Sequence, residues 1–169
     1  MAIDGATIVV GTPYDGTAGY SQGAAYVFGP SPYSLWKVAE LGDPFAANFD
    51  DGDHDGLTNF VEYGLLRSPT IPEGAATHAE PAFYPDGRRL RMFVPRDPAR
   101  DDITLEVQAS GALRGPWITI AISEFGAPFY GPGYFAGDSA TPGVKSVEIR
   151  DTVRVDAAAQ RFLRVRVKR

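Results

Sequence analysis

Cysteine is absent from the 169-residue sequence, and histidine occurs only at His54 and His78. The first absence excludes disulfides and thiolate metal sites, and the second leaves zinc too few nitrogen donors. No apolar run approaches the ~20 residues of a membrane-spanning helix. Met1-Ala2-Ile3-Asp4-Gly5 has neither the basic region nor the apolar core of a secretory signal. The expectation is therefore a cytoplasmic chain or a piece of a longer secreted one. Lys and Arg are missing between Val38 and Leu66, where seven acids leave a net −7. Carboxylates gathered without bases repel one another unless a cation joins them. The C-terminal stretch from Arg150 to Arg169 is the reverse, with seven bases against two acids.

What is present begins with the acids. Asp51-Gly52-Asp53-His54-Asp55-Gly56-Leu57-Thr58-Asn59-Phe60-Val61-Glu62 has the spacing of an EF-hand calcium loop. A hard cation such as Ca²⁺ takes six to eight oxygens, and alternate positions of a tight loop supply them. The expected metal ligands are the carboxylates of Asp51, Asp53 and Asp55, the Leu57 carbonyl, Asn59 (directly or through water) and a bidentate Glu62. Gly56 stands where the loop must turn at positive φ. A solvated turn held by side-chain-to-backbone bonds uses one or two aspartates. Five matching side-chain ligand positions and a glycine favour an ion, with Kd of about 10⁻⁴–10⁻³ M. Leu57, Phe60, Val61, Gly64 and Leu65 recur as a helical stripe that faces a core, with Asn59 and Glu62 off it and Ser68-Pro69 ending the helix.

Thr7-Ile8-Val9-Val10 and Ala24-Ala25-Tyr26-Val27-Phe28 are β-prone, and Asp15-Gly16 marks a turn between them. Ile3 to Asp15, then Gly23 to Phe28 and Trp36 to Leu41, resemble one FG-GAP repeat, the blade unit of integrin-like β-propellers on extracellular proteins. The resemblance implies that residues 1–41 are β structure, a hairpin or blade. A propeller needs several blades, and one repeat is visible. Gly42-Asp43-Pro44 reads as a helix start, with Asp43 as N-cap. Residues 42–67 then form a calcium-loop and helix segment similar to the single loops of bacterial surface proteins. Thrombospondin type 3 repeats and dockerins use similar ladders in multiple copies, and one loop does not support cohesin docking.

Residues 68–81, with three prolines, read as a linker. Over 82–169 the chain alternates with period two through Leu90/Met92/Val94, Ile103/Leu105/Val107, Ile118/Ile120/Ile122, Val147/Ile149 and Leu163/Val165/Val167. Turn signals separate these strands, which predicts an antiparallel β-sandwich and a mainly β chain. Asp156 to Gln160 is expected to make one helical turn. The context Glu106 to Trp117 resembles the C-terminal β-module of large secreted bacterial proteins of the verrucomicrobial type.

Catalytic signatures fail in context. Gly19-Tyr20-Ser21-Gln22-Gly23 matches G-x-S-x-G, but a strand follows where the nucleophile elbow needs a helix. Gly131-Pro132-Gly133-Tyr134-Phe135-Ala136 matches a dinucleotide fingerprint without a βαβ unit and reads as a turn. Phe125, Phe129, Tyr130, Tyr134 and Phe135 crowd one Gly/Pro loop. Exposed and coplanar, they would stack on sugars as a carbohydrate-binding module; buried, they are a satellite cluster. The basic residues of the last strand alternate with apolar ones, and with a pI of about 5.0 they imply a solvated face rather than nucleic-acid binding. The sequence thus predicts a non-enzymatic, Ca²⁺-stabilised module of a secreted or cell-surface bacterial protein, with a protein or glycan partner. The ion would staple the junction between its two β-rich parts.

Overall fold

The period-two alternation becomes a two-layer antiparallel sandwich in the computed structural model, which describes residues 2–4, 7–12, 23–73, 77–139 and 141–169. One layer has the order β4-β5-β9-β8: β4 is Glu80–Tyr84, β5 Gly87–Arg96, β8 Tyr134–Ala136 and β9 Lys145–Arg154. The other has the order β10-β6-β7: β6 is Thr104–Ser110, β7 Ile118–Glu124 and β10 Phe162–Lys168. Met92, Val94, Val147 and Ile149 of the first layer pack with Leu105, Val107, Ala109 and Ile120 of the second. Neighbouring strands are antiparallel throughout, and the pleat of each strand sets successive inward side chains two residues apart. The chain is mainly β.

Three strand expectations are refined. β7 does not present Ile118, Ile120 and Ile122 as one inner stripe, because its register against β6 shifts between Val107 and Gln108. Ile120 and Ala121 are buried and Ile118 is exposed, as a bulge produces when it changes which face the next side chain meets. The linker over 68–81 ends early, since Glu80 and Pro81 already belong to β4. Pro81 is tolerated there because β4 is an edge strand. Val155–Ala157 forms the short helical turn, slightly ahead of its expected place.

The N-terminal strands form a separate sheet, β1 (Ala2–Asp4), β2 (Thr7–Thr12) and β3 (Ala24–Phe28), in that order. Residues 32–41, however, are not β. They form helix α1, Pro32–Leu41. The Ser31 side chain accepts from the Ser34 N–H at 3.2 Å, Pro32 opens the first turn, and Gly42 closes the helix at φ 71°. These are ordinary start and stop signals. Gly42-Asp43-Pro44 is accordingly not a helix start: Gly42 ends α1, and Asp43 Oδ1 accepts from the Phe45 N–H at 2.8 Å in a side-chain-stabilised turn.

Helix α2 spans Asn59–Leu65, and Leu66 (φ 58°) reverses the chain beyond it. Its stripe meets the sandwich: Gly64 lies so near Val167 that a Cβ there would come within 2.7 Å of both Val167 methyls. Yet its other side is also covered, because Asn59, Glu62 and Tyr63 are buried. Tyr33 and Trp36 of α1 pack on Tyr63, with centroids 4.8 and 5.5 Å away. Asp102, from the loop between β5 and β6, accepts from Tyr63 Oη at 2.7 Å and from the Tyr33 N–H at 2.9 Å. The Arg100 guanidinium lies 4.4 Å from the Tyr63 ring centre. α1, α2 and the sandwich thus meet around two buried tyrosines and one aspartate. Among the described residues no helix is long and apolar enough to cross a membrane.

Candidate metal centre

The loop ahead of α2 is braced by its own carboxylates. Asp51 Oδ2 accepts from the Gly56 N–H at 3.0 Å, Asp53 Oδ1 from the Asp55 N–H at 3.1 Å, and Asp55 Oδ1 from the Leu57 N–H at 2.9 Å. Gly56 has φ 94°, the left-handed conformation its place in the loop requires. His54 also turns at φ 63°, with its side chain exposed. One oxygen of each of Asp51 and Asp53 therefore holds the backbone, and the other is left over. Asp51, Asp53 and Asp55 each offer an oxygen within 4.8 Å of the others.

The helix brings two more groups. Asn59 Nδ2 donates to the Ala47 carbonyl at 2.8 Å, which fixes the amide, and the Asn59 N–H donates to Asp50 O at 2.8 Å. Its Oδ1 is buried without a hydrogen-bond partner. Glu62 is 0% exposed, and neither of its carboxylate oxygens has a partner. Asp51 Oδ1 and Asp53 Oδ2 are in the same condition. Five unpartnered oxygens from four side chains of one twelve-residue segment is an unusual concentration, since buried polar groups are nearly always hydrogen-bonded. Burial, and then the charges of Asp53, Asp55 and Asp51, push the Glu62 carboxyl up to about 7. The arrangement supplies hard oxygen donors only, the set that suits Ca²⁺. Leu57 occupies the turn that leads into α2, where the loop spacing assigns its carbonyl as a ligand.

The helical stripe alone does not place Asn59 and Glu62 in the interior. They are buried because residues 43–50 fold back over the polar side of α2, where the Phe60 N–H donates to Asn48 O at 3.1 Å.

The remaining sequence candidates fare differently. Ser21 lies outside the described residues. The Gly131–Ala136 fingerprint leads into strand β8, not a helix, and is a turn and strand. Of the loop aromatics, Phe129 is in the core, and Tyr130 bridges to Ile122 and donates from Oη to Glu124 at 2.8 Å. Phe135 meets Tyr84 edge-on, at 5.0 Å and 71°, and Tyr134 packs against the core. Phe125 is 64% exposed. Tyr130 and Phe135 are exposed as well, while Phe129 and Tyr134 pack in or against the core, so the five rings do not form one exposed face. On the outer face of β10, Lys168 Nζ donates to Glu106 at 2.6 Å and Arg164 Nε to Gln108 at 2.9 Å.

Sequence reasoning missed the centre that organises the Gly/Pro loop. Arg96 and Asp138 form a salt bridge with side chains 2% and 1% exposed. The guanidinium also donates to the carbonyls of Gly126 and Ser139, and the Phe129 N–H donates to Asp138 at 2.6 Å. An arginine after a proline and an aspartate in a turn-rich loop carry no signal that they pair.

Residues 1–28 match the FG-GAP repeat family model. The match ends at Phe28, the last residue of β3, so the three strands β1 to β3 fall within the matched segment and α1 lies beyond it. Repeats of this kind are typical of extracellular proteins. Neither the curated proteins nor the solved structures gave a match.

Proposed function

We propose that this chain is a non-enzymatic, calcium-binding structural or adhesion module of a secreted or cell-surface bacterial protein. Ca²⁺ would be held by Asp51, Asp53, Asp55, the Leu57 carbonyl, Asn59 and Glu62. The observation that carries this reading is Glu62: a wholly buried carboxylate, without a hydrogen bond, whose charged neighbours in the loop are acids. A buried anion needs a compensating charge, and no base lies within the segment. A divalent cation answers the requirement and matches the donors.

The ion's role follows from the position of α2. Glu62 faces the loop, and its neighbour Tyr63 faces Tyr33, Trp36, Arg100 and Asp102. Cation binding would fix α2, and α2 is the piece on which α1 and the sandwich converge. The FG-GAP segment precedes α1 in the chain, which supports a staple at the junction of two β-rich parts, in an extracellular setting. Calcium titration by calorimetry, with melting followed in parallel, tests it. The expectation is one site per chain and a melting temperature that rises with the logarithm of calcium concentration above Kd. No heat and no shift up to about 10 mM Ca²⁺, ten times the weak end of the expected range, would overturn it.

A further inference from the structure

The twelve-residue loop does not close its own site. Asp55 differs from Asp51 and Asp53 in that both its oxygens are engaged, and the second contact comes from outside the loop. The Glu73 N–H donates to Asp55 Oδ2 at 3.2 Å. Glu73 arrives there because the chain doubles back after α2. Leu66 turns at φ 58°, the Arg67 N–H donates to the Glu62 carbonyl at 2.8 Å, and the next six residues run back along the loop. Pro69 is fully buried on the way. Its carbonyl passes so close to Gly52 that a Cβ there would sit at 3.2 Å. The return segment is then fastened to itself, since Glu73 Oε2 accepts from the Ser68 N–H at 3.0 Å and lies 3.7 Å from Arg67 Nη1.

We propose that Arg67–Glu73 is a strap belonging to the ion site, with Glu73 as its positioning residue. Its backbone N–H orients the Asp55 carboxylate, and its side chain holds the strap closed through Ser68 and Arg67. This rests on the calcium reading above. The physical reason is that a carboxylate ligand on a turn is free to rotate unless a donor fixes it. Two fixed donors, Leu57 and Glu73, leave Asp55 one orientation. Groups that orient a metal's ligands typically change affinity by about 10- to 100-fold when removed. The strap also packs against the loop at Gly52, and a strap fastened there would slow cation release.

The test measures Ca²⁺ affinity by calorimetry and Ca²⁺ release by rapid mixing with a fluorescent chelator. Three proteins are compared: the natural chain, Glu73→Ala and Glu73→Gln. Glu73→Ala keeps the N–H that orients Asp55 but frees the strap that places it, and is expected to weaken binding by up to about 10-fold, mainly through faster release. Glu73→Gln keeps an acceptor for the Ser68 N–H and should recover most of that loss. A strap that served stability alone would lower the melting temperature in chelator but leave release unchanged. Equal affinity and release in the natural chain and Glu73→Ala would overturn the proposal while the calcium reading stood. Failure of the natural chain to bind Ca²⁺ would remove the reading beneath it. Should Glu73→Ala not fold, trypsin cleavage after Arg67 in the natural chain decides: slower with Ca²⁺ than with chelator supports the strap, and an unchanged rate overturns it.

Discussion

Among the described residues three side-chain carboxylates are buried completely, and they solve the problem in opposite ways: Asp151 is paired with Arg161 much as Asp138 is with Arg96, while Glu62 stands among acids. Asp138 faces Arg96, with backbone N–H groups completing its shell. Glu62 faces Asp51, Asp53 and Asp55 and has no hydrogen bond. The first centre is electrically closed and needs nothing from solution. The second gathers like charges with no base in its segment. Both tie parts of the fold together: Arg96–Asp138 joins the long loop to the end of β5, and Glu62 joins the acidic loop to α2. The difference teaches that burial alone does not single out a candidate site; burial among like charges does.

The largest expected effect lies at the closed centre. Arg96→Met leaves Asp138 buried opposite a thioether, and breaking such a pair costs about 3–5 kcal/mol. Urea unfolding should give the same loss with Ca²⁺ and with chelator, because the pair does not touch the ion loop. A loss that vanishes in calcium would mean that the two centres are not independent and would break the comparison.

Next comes the open centre without its ion. The Glu62 carboxyl is raised from 4.5 to about 7 in the metal-free fold. Below 4.5 the group is protonated in both folded and unfolded chains and carries no penalty. Between those values the unfolded chain gives up its proton and the folded one keeps it, so metal-free stability falls as pH rises. Above about 7 the penalty levels at about 3 kcal/mol. Glu62→Gln removes that slope, so in chelator at pH 8 the variant should be more stable than the natural chain by about this amount. It should also bind calcium much more weakly. Excess Ca²⁺ should reverse the slope in the natural chain, since the cation favours the ionised form. A metal-free natural chain with the same stability at pH 5 and pH 8 would show that Glu62 is compensated by something other than a cation.

These two centres were not equally legible. The acidic loop stands in the sequence as a spacing of oxygen donors, and the fold brings Asp51, Asp53 and Asp55 together because the three are local to one turn. The sandwich was also legible, through the alternation at Met92/Val94 and Val147/Ile149. α1 was obscured by its place beside the FG-GAP segment, although Ser31-Pro32 and Gly42 announced its two ends. The burial of Glu62 on both sides was not readable, because it depends on residues 43–50 folding back. Arg96–Asp138 was invisible for the same reason, as its partners are 42 residues apart and meet only in the folded chain. Short-range constraints leave patterns, and long-range ones leave isolated residues.

A smaller effect tests how far the open centre extends. Tyr63→Phe removes the donor to Asp102 and leaves its ring packing intact. Losing a hydrogen bond to a half-buried charged acceptor costs about 1–3 kcal/mol, to be read by urea unfolding. Calcium affinity should stay within about twofold, because Tyr63 supplies no ligand and its ring, which positions α2, is retained. A tenfold or greater fall would make the tyrosine junction part of the ion site, consistent with Glu62 and Tyr63 being neighbours on one helix.

The smallest effect is expected where the same chemistry meets water. Arg154 donates to both oxygens of Asp156, yet the two side chains are 48% and 59% exposed. The arginine holds the Asp156 carboxyl below its usual range, chiefly by hydrogen bonding, but solvent and salt screen the pair. Asp156→Asn should therefore unfold at the same urea concentration as the natural chain within error, at low and high salt alike. The arginine and carboxylate are those of the Arg96–Asp138 centre; exposure is what has changed. If Asp156→Asn costs as much as Arg96→Met, burial is not what gives the closed centre its weight. The contrast between closed and open centres would then have to be argued from geometry alone.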